Sequence, residues 1–256
     1  MGLTYAQSFL RSRIVTSDNM MVLCRSYEKA NHLSQTHEGR FFSDPRHCVP
    51  EADLHILAVK PQDAPKLFEE VSGLVQPGQV FLSIMAGVRL SAISAALGVE
   101  KVIRAMPNLP AQIGAGVTAF TSTDAVTRIE LVMVQNLLST TGKTLYVERE
   151  DLIDACTAIS GSGPAYVYFF MNAMIEAAIK MGFSLSEAEL LVSQTFTGAV
   201  DLYNKADLSC GDWIARVSSK GGTTEAAMEI FRKTALHEDI IAGAKAAMER
   251  ARELGR

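Results

Sequence analysis

The hydrophobic periodicity of this chain changes once, near residue 150, and that change restricts the fold to two joined architectures. Before it, short apolar runs alternate with helical patterns; the predicted strands are residues 20–24, 54–59, 79–84, 101–106, 116–120 and 143–147. Apolar strands separated by helices are typical of a mainly parallel sheet covered on both faces. Beyond residue 151 only helical periods follow. The sequence therefore predicts an α/β, Rossmann-like domain over residues 1–149 and an all-helical domain over residues 150–256.

The longest helix predicted in the second domain, residues 165–181, is apolar around most of its circumference. A helix that is apolar on all sides must be buried on all sides, which a small helical domain cannot easily achieve alone. Burial by a second copy of the chain is the natural solution, so we expect an oligomer. Ser186 and Glu189 have the spacing of a capping box, which predicts that the next helix begins there.

Two clusters of small residues each run into a helical pattern, AISGSGPAY at residues 158–166 and VSSKGGTTEAAM at residues 217–228. The start of a helix has free N–H groups and a positive dipole end, so it can hold a small anion. Gly221 and Gly222 let a ligand approach the backbone, and Thr223 and Thr224 add hydroxyls. The alternative is a tight turn with a good N-cap. We interpret the second cluster as a carboxylate or phosphate site.

These clusters also carry a family resemblance. SGSGPAY, an apolar helix and then SSKGGTT resemble the pyrroline-5-carboxylate reductases, and so do AVKPQD at residues 58–63, SIMAGV at 83–88 and RAMPNLPAQIGAG at 104–116, in the same order. The resemblance spans nearly the whole chain. It implies an oxidoreductase that reduces 1-pyrroline-5-carboxylate to L-proline with NADPH, the last step of proline biosynthesis. It also implies an interlocked homodimer, with a higher oligomer of dimers as a further possibility.

The end of the first predicted strand indicates which nucleotide binds. Arg25 and Ser26 follow that strand, and Arg25 lies 23 residues after Gly2, close to the ~20 expected between a glycine turn and the ribose-binding residue. An acidic residue there selects NAD, whereas an arginine accommodates the 2′-phosphate of NADP. The alternative is a surface arginine in a turn. We therefore expect NADP as the cofactor, with NAD as the second choice.

Further cofactor contacts are predicted where strands end, because ligands of open α/β sheets bind at the carboxyl ends of strands. Gly2 is counted with them because it matches the end of a glycine turn. The predicted cofactor-binding residues are Gly2, Arg25, Ser26, Ala58, Val59, Lys60, Pro61, Ala86, Gly87 and Asn108.

The resemblance implies the roles of the second cluster. Ser219, Gly221, Gly222 and Thr223 would bind the substrate carboxylate, chiefly through the backbone N–H groups of Gly222 and Thr223. Thr224 is the predicted catalytic residue, with its hydroxyl donating to the imine nitrogen or relaying a proton from water. Lys220 stands where many members of the family have proline, which exchanges a rigid turn for a cation.

The front edge of the expected sheet is not in the sequence. A dinucleotide-binding domain normally opens with a strand and a Gly-x-Gly-x-x-Gly turn, whereas this chain begins at Met1 and Gly2 and enters an amphipathic helix at residues 3–14. One explanation is a start assigned too late, with about ten residues lost; the other is a degenerate paralogue. We favour the first, because every downstream motif is intact.

Composition excludes several classes of partner. The 256 residues carry a net charge of −4, which gives no electrostatic reason to expect nucleic acid or an anionic membrane. The four cysteines have no metal-site spacing, so we expect no metal and a reduced, cytoplasmic protein.

Two rival functions remain. A hydroxyacid dehydrogenase-like oxidoreductase would place a catalytic lysine on the long helix, but residues 164–179 contain neither lysine nor histidine. A non-catalytic paralogue without the pyrophosphate turn would bind no NADPH, and a binding assay would distinguish it.

Overall fold

The computed structural model of the chain describes residues 1–254. The strands in that range are β1 (Met21–Leu23), β2 (Arg40–Phe42), β3 (Leu54–Leu57), β4 (Val80–Ser83), β5 (Val102–Met106), β6 (Gly116–Ser122) and β7 (Gly142–Tyr146). The α-helices are α1 (Gly2–Arg11), α2 (Tyr27–Ser34), α3 (Ala64–Val71), α4 (Leu90–Leu97), α5 (Arg128–Ser139), α6 (Asp151–Cys156), α7 (Gly163–Lys180), α8 (Leu185–Lys205), α9 (Cys210–Val217), α10 (Thr223–Lys233) and α11 (Leu236–Leu254).

The strands form two sheets. β1 and β2 make a parallel pair, and the other five strands follow the order β3-β4-β5-β6-β7. Within the larger sheet only β5 and β6 are antiparallel. The predicted mainly parallel sheet, followed by helices alone, is therefore confirmed. The sequence patterns did not predict β2, which has only three residues and no fully buried one.

Strand β1 differs from the expectation of a buried strand. All three of its residues are half-buried, and only the following Cys24 is buried. The reason is that β1 is hydrogen-bonded to β2 alone, so no ladder covers its other edge.

The larger sheet is covered on both faces, as the sequence predicted. Successive residues of a strand point to opposite faces, and Phe81 and Leu82 of β4 accordingly belong to two separate cores. The first core contains Phe68 of α3 and Ile93 of α4. The second contains residues from α1, the central strands and α5, namely Tyr5, Phe9, Ile103, Phe120, Val134 and Leu138.

The chain divides into two compact units. The first comprises Met1–Ser162 together with residues 247–254, and the second comprises Gly163–Ala246. Helix α6 belongs to the first unit because it packs on β5 and β6. The domain boundary after residue 149 therefore stays a prediction, and the division between compact units lies thirteen residues later, at Ser162.

The helices of the second unit bury little of their own surface. No residue of α7 is buried, and in α8 only Ala188 and Val192 are. The capping box predicted at Ser186 is wrong by two residues, because Ser184 is the N-cap and Glu187 closes the box.

Candidate functional site

The start of α1 and the end of β3 lie side by side. A side-chain Cβ at Gly2 would come within 3.0 Å of the Ala58 Cβ atom, so two of the predicted cofactor-binding residues are close together. The first α-helical bond runs from the Tyr5 N–H to the Met1 carbonyl, at 3.1 Å. The N–H groups before Tyr5 thus lack intrahelical acceptors. This helix start has the free donors and the close backbone that a phosphate group needs.

Five further predicted cofactor residues lie at the same edge of the five-stranded sheet. β3, β4 and β5 are parallel neighbours, so their carboxyl ends meet at one edge. Val59, Lys60 and Pro61 follow β3, and Lys60 is exposed. Ala86 and Gly87 follow β4, and Gly87 has a φ of 79°, which glycine adopts without strain.

Asn108 follows β5 but has a structural role that the sequence did not indicate. Its side-chain Oδ1 accepts a hydrogen bond from the Val117 N–H at 2.9 Å. This bond fixes the turn between β5 and β6, and a cofactor contact would have to come from the remaining amide group.

The predicted phosphate-binding residues are already engaged. Arg25 Nη2 donates to Asp63 Oδ2 at 2.7 Å, and Ser26 is the N-cap of α2, accepting from the Lys29 N–H at 3.3 Å. The Arg25 and Asp63 side chains are 76% and 38% exposed. Sequence patterns did not identify Asp63, although the AVKPQD segment that contains it was part of the family resemblance.

The Gly-Gly-Thr-Thr segment forms the start of α10. Gly221 has a left-handed φ of 72°, and Gly222 is the N-cap. A Cβ atom at Gly222 would lie 2.5 Å from Ser219 Oγ and 2.9 Å from the Ser219 carbonyl oxygen. Position 222 therefore requires glycine for close packing, while position 221 requires it for backbone conformation.

Two donors of this segment are occupied, in contrast to the predicted role of the glycines. The Gly222 N–H donates to the Ser219 carbonyl at 2.9 Å and so closes the turn. The Gly221 N–H donates to Glu225 Oε2 at 2.6 Å. The Gly222 N–H is therefore not free in this structure, and its predicted role in binding a carboxylate stays a prediction. The N–H groups of Thr223 and Thr224 begin the helix and have no intrahelical acceptor.

Glu225 is the residue of this segment that the sequence did not reveal. Its carboxylate sits at the positive end of the helix dipole and accepts from the backbone of the loop. The capping-box pattern would have identified Glu225 only if the N-cap at Gly222 had been known. The chain itself thus holds a carboxylate at this helix start.

A buried ion network holds α6 against the sheet. Arg104 on β5 is 1% exposed, and its guanidinium donates to Glu150 at 3.0 Å and to Asp154 at 2.5 Å. Glu150 also accepts from the Leu90 N–H at 2.8 Å. Beyond α6 a π-helical turn spans Thr157–Gly161.

That turn packs tightly on the end of β5. A Cβ atom at Gly161 would lie 2.7 Å from Met106 Cε. The SGSG segment therefore begins in contact with the strand that leads to Asn108. π-Helical turns are frequent at functional sites.

Other classes of site are absent from the part of the chain that the structure describes. Among residues 1–254, no helix has the length and apolar character needed to cross a bilayer. In the same range, no group of three His, Cys, Asp or Glu side chains is arranged to hold a metal ion.

Two family models match the chain. Residues 150–254 match the model described as pyrroline-5-carboxylate reductase dimerisation. Residues 1–87 match the model described as NADP oxidoreductase, coenzyme F420-dependent.

Curated relatives of the chain are pyrroline-5-carboxylate reductases. The chain is 35% identical to the pyrroline-5-carboxylate reductase of Pseudomonas aeruginosa over 208 residues, covering 81% of this chain and 76% of the relative. It is 33% identical to pyrroline-5-carboxylate reductase 2 of Bacillus subtilis over 234 residues, covering 91% and 84%.

Solved structures agree over the full length. The pyrroline-5-carboxylate reductase of Coxiella burnetii superposes with a TM-score of 0.89 at 30% identity, covering 100% of this chain and 95% of that one. The Plasmodium falciparum pyrroline carboxylate reductase with NADP bound gives a TM-score of 0.90 at 25% identity and the same coverages.

Proposed function

The chain belongs to the pyrroline-5-carboxylate reductase family, and on that premise we propose that it reduces the C=N bond of 1-pyrroline-5-carboxylate with NADPH to give L-proline. The reaction adds a hydride to the imine carbon and a proton to the nitrogen. We also propose that the enzyme works in the cytoplasm as a homodimer or a higher oligomer of dimers.

The first unit would hold the nucleotide. The free N–H groups at the start of α1 and the close approach of Gly2 to Ala58 suit a pyrophosphate. Lys60 and the residues around Gly87 border the same sheet edge. The cofactor supplies the hydride, and the protein supplies its orientation.

The second unit would hold the substrate. The N–H groups of Thr223 and Thr224 at the start of α10 have no intrahelical acceptor and would bind the carboxylate. Lys220 is exposed beside them and adds a positive charge. Since Glu225 already occupies the Gly221 N–H, the substrate carboxylate must either share this helix start with Glu225 or displace it.

The Thr224 hydroxyl is the group that we assign to the imine nitrogen. Thr224 is half-buried, whereas Thr223 beside it is exposed. Threonine is a weak acid, so its contribution would be a hydrogen bond that strengthens as charge develops on the nitrogen. The single observation that carries the proposal is this half-buried hydroxyl in the first turn of α10, beside N–H groups without intrahelical acceptors.

The oligomer rests on helix α7. Its Phe169 and Tyr168 side chains are 75% and 57% exposed within one copy of the chain. Apolar surface of this extent is normally covered by another protein surface, and the match to a dimerisation model supports a second copy.

Three variants test the site by steady-state kinetics. Thr224→Ala should lower kcat about ten- to a hundredfold, because one hydrogen bond worth roughly 1–3 kcal/mol is lost in the transition state. Thr223→Ala should have a smaller effect, because its backbone N–H remains. Thr223→Pro should raise KM instead, and the helix should tolerate it because residue 223 is the first of α10.

The results distinguish the proposed role of Thr224 from the proposed reaction as a whole. Equal small losses for Thr224→Ala and Thr223→Ala would mean that the segment is only a helix cap. Absence of NADPH-dependent proline formation by the unmodified chain would contradict the proposed function itself.

A further inference from the structure

We propose that Asp63 is a specificity-determining residue that weakens the preference of this chain for NADPH over NADH. The inference deepens the proposed function, on which it rests, because it concerns the ribose end of the same nucleotide site.

The argument begins with the position of Arg25. It follows β1, where the adenosine ribose of a bound dinucleotide is met in folds of this kind. A bare arginine at this point favours the 2′-phosphate, whereas an acidic residue favours a free 2′-OH. This chain has both groups, because Asp63 from the turn after β3 accepts from Arg25 at 2.7 Å.

The pair is open to solvent and can rearrange. With the two side chains 76% and 38% exposed, the ion pair is worth little, so an incoming phosphate can displace the carboxylate from the guanidinium. The displaced Asp63 carboxylate nevertheless stays close to the bound 2′-phosphate. Two negative charges so close together repel each other.

A second carboxylate adds to this effect. Glu28 lies in the first turn of α2, and its own backbone N–H, together with the Ser26 hydroxyl, lowers the pKa of its carboxyl group. Of the two predicted phosphate ligands, Arg25 donates to Asp63, and the Ser26 hydroxyl accepts from the Lys29 N–H. A free 2′-OH, by contrast, can donate to Asp63 while accepting from Arg25.

Asp63→Asn is the decisive variant. It keeps the size of the side chain and removes the charge. Asp63 caps α3 without a side-chain hydrogen bond, so the helix loses no cap. Removal of one negative charge a few ångströms away should tighten binding of a 2′-phosphate about three- to tenfold, and a free 2′-OH should gain nothing.

The experiment titrates the full chain with 2′,5′-ADP and 5′-AMP by calorimetry, and with NADPH and NADH by fluorescence. Glu51→Gln is the matched control, because Glu51 forms another exposed ion pair of the same unit, with Arg40 at 3.5 Å. Arg25→Gln is the converse variant and should lower affinity for 2′,5′-ADP while leaving that for 5′-AMP nearly unchanged.

A rise in the ratio of 2′,5′-ADP to 5′-AMP affinity for Asp63→Asn alone supports the inference. An unchanged ratio, or an equal rise for Glu51→Gln, overturns it and leaves the proposed function intact. Failure of the unmodified chain to bind any of the four nucleotides overturns the proposed function and the inference with it.

Discussion

The first unit buries a guanidinium, while the second leaves phenylalanines in solvent. Arg104 is 1% exposed inside the first unit, whereas Phe169 of the second is 75% exposed. The first unit completes its own interior, since two apolar cores and a paired charge network fill both faces of the sheet. The second unit has apolar helices without an interior of matching size. The difference indicates that the first unit is stabilised within one chain, and it supports the proposal that another copy covers the second.

The largest expected effect tests the buried network of the first unit. Arg104→Met should lower the free energy of unfolding by about 3–5 kcal/mol, because it leaves the buried Asp154 carboxylate without a partner. Urea unfolding followed by circular dichroism measures the change. Arg149→Met should cost far less than Arg104→Met, since the Arg149–Asp151 pair is exposed.

A double variant separates charge from shape in that network. Arg104→Met with Asp154→Leu should recover most of the lost stability, because the fully buried Asp154 charge is then removed. Glu150 also loses its guanidinium partner, but its side chain is 24% exposed and still accepts from the Leu90 N–H. A double variant as unstable as Arg104→Met would show that the shape of the arginine, and not its charge, holds α6 on the sheet.

The next effect concerns the uncovered surface of the second unit. Phe169→Ala should weaken self-association by roughly 1.5–3 kcal/mol if a second copy buries this ring, which is about ten- to a hundredfold in the dissociation constant. Sedimentation velocity over a concentration series measures it.

Tyr27→Ala is the control for that measurement, because Tyr27 is 71% exposed in the first unit. It should leave self-association unchanged. If the unsubstituted chain stays monomeric at micromolar concentration, the proposal that another copy covers the second unit is contradicted.

The smallest effect compares two capping boxes, Thr127 with Glu130 in the first unit and Ser184 with Glu187 in the second. Glu130 also accepts from Lys101 at 2.7 Å in a partly buried pair, and this contact is the main cause of its lowered pKa. Hydrogen bonds from Ser184 lower the pKa of Glu187.

Because both pKa values are lowered in the folded chain, each carboxylate stabilises the fold above its unfolded pKa of about 4.3 and ceases to do so as pH falls through the folded value. Glu130→Gln should therefore cost more at pH 7 than at pH 3, by less than about 1 kcal/mol. Glu187→Gln should show a smaller pH dependence, and urea unfolding at the two pH values compares them. A larger pH dependence for Glu187→Gln than for Glu130→Gln would contradict the expectation that the Lys101 contact makes Glu130 the more stabilising carboxylate.

Local patterns carried much of the prediction. The alternation of strands and helices, the switch to helices alone and the helix that follows the Gly-Gly-Thr-Thr cluster all follow from interactions between residues a few positions apart. A short, weakly buried strand such as β2 was missed because its three residues contain too little periodicity to identify a strand.

The sequence by itself thus determined the class of fold, the apolar character of α7 and the glycines and threonines at the start of α10. The tertiary structure decided which groups are already taken: Asp63 holds Arg25 across 38 residues, and Asp154 holds Arg104 across 50. It also decided that the Gly222 N–H closes a turn and that Glu225 occupies the Gly221 N–H. The distant pairings arise because parallel strand ends and packed helices bring together residues far apart in the chain, and no local pattern encodes which of them meet.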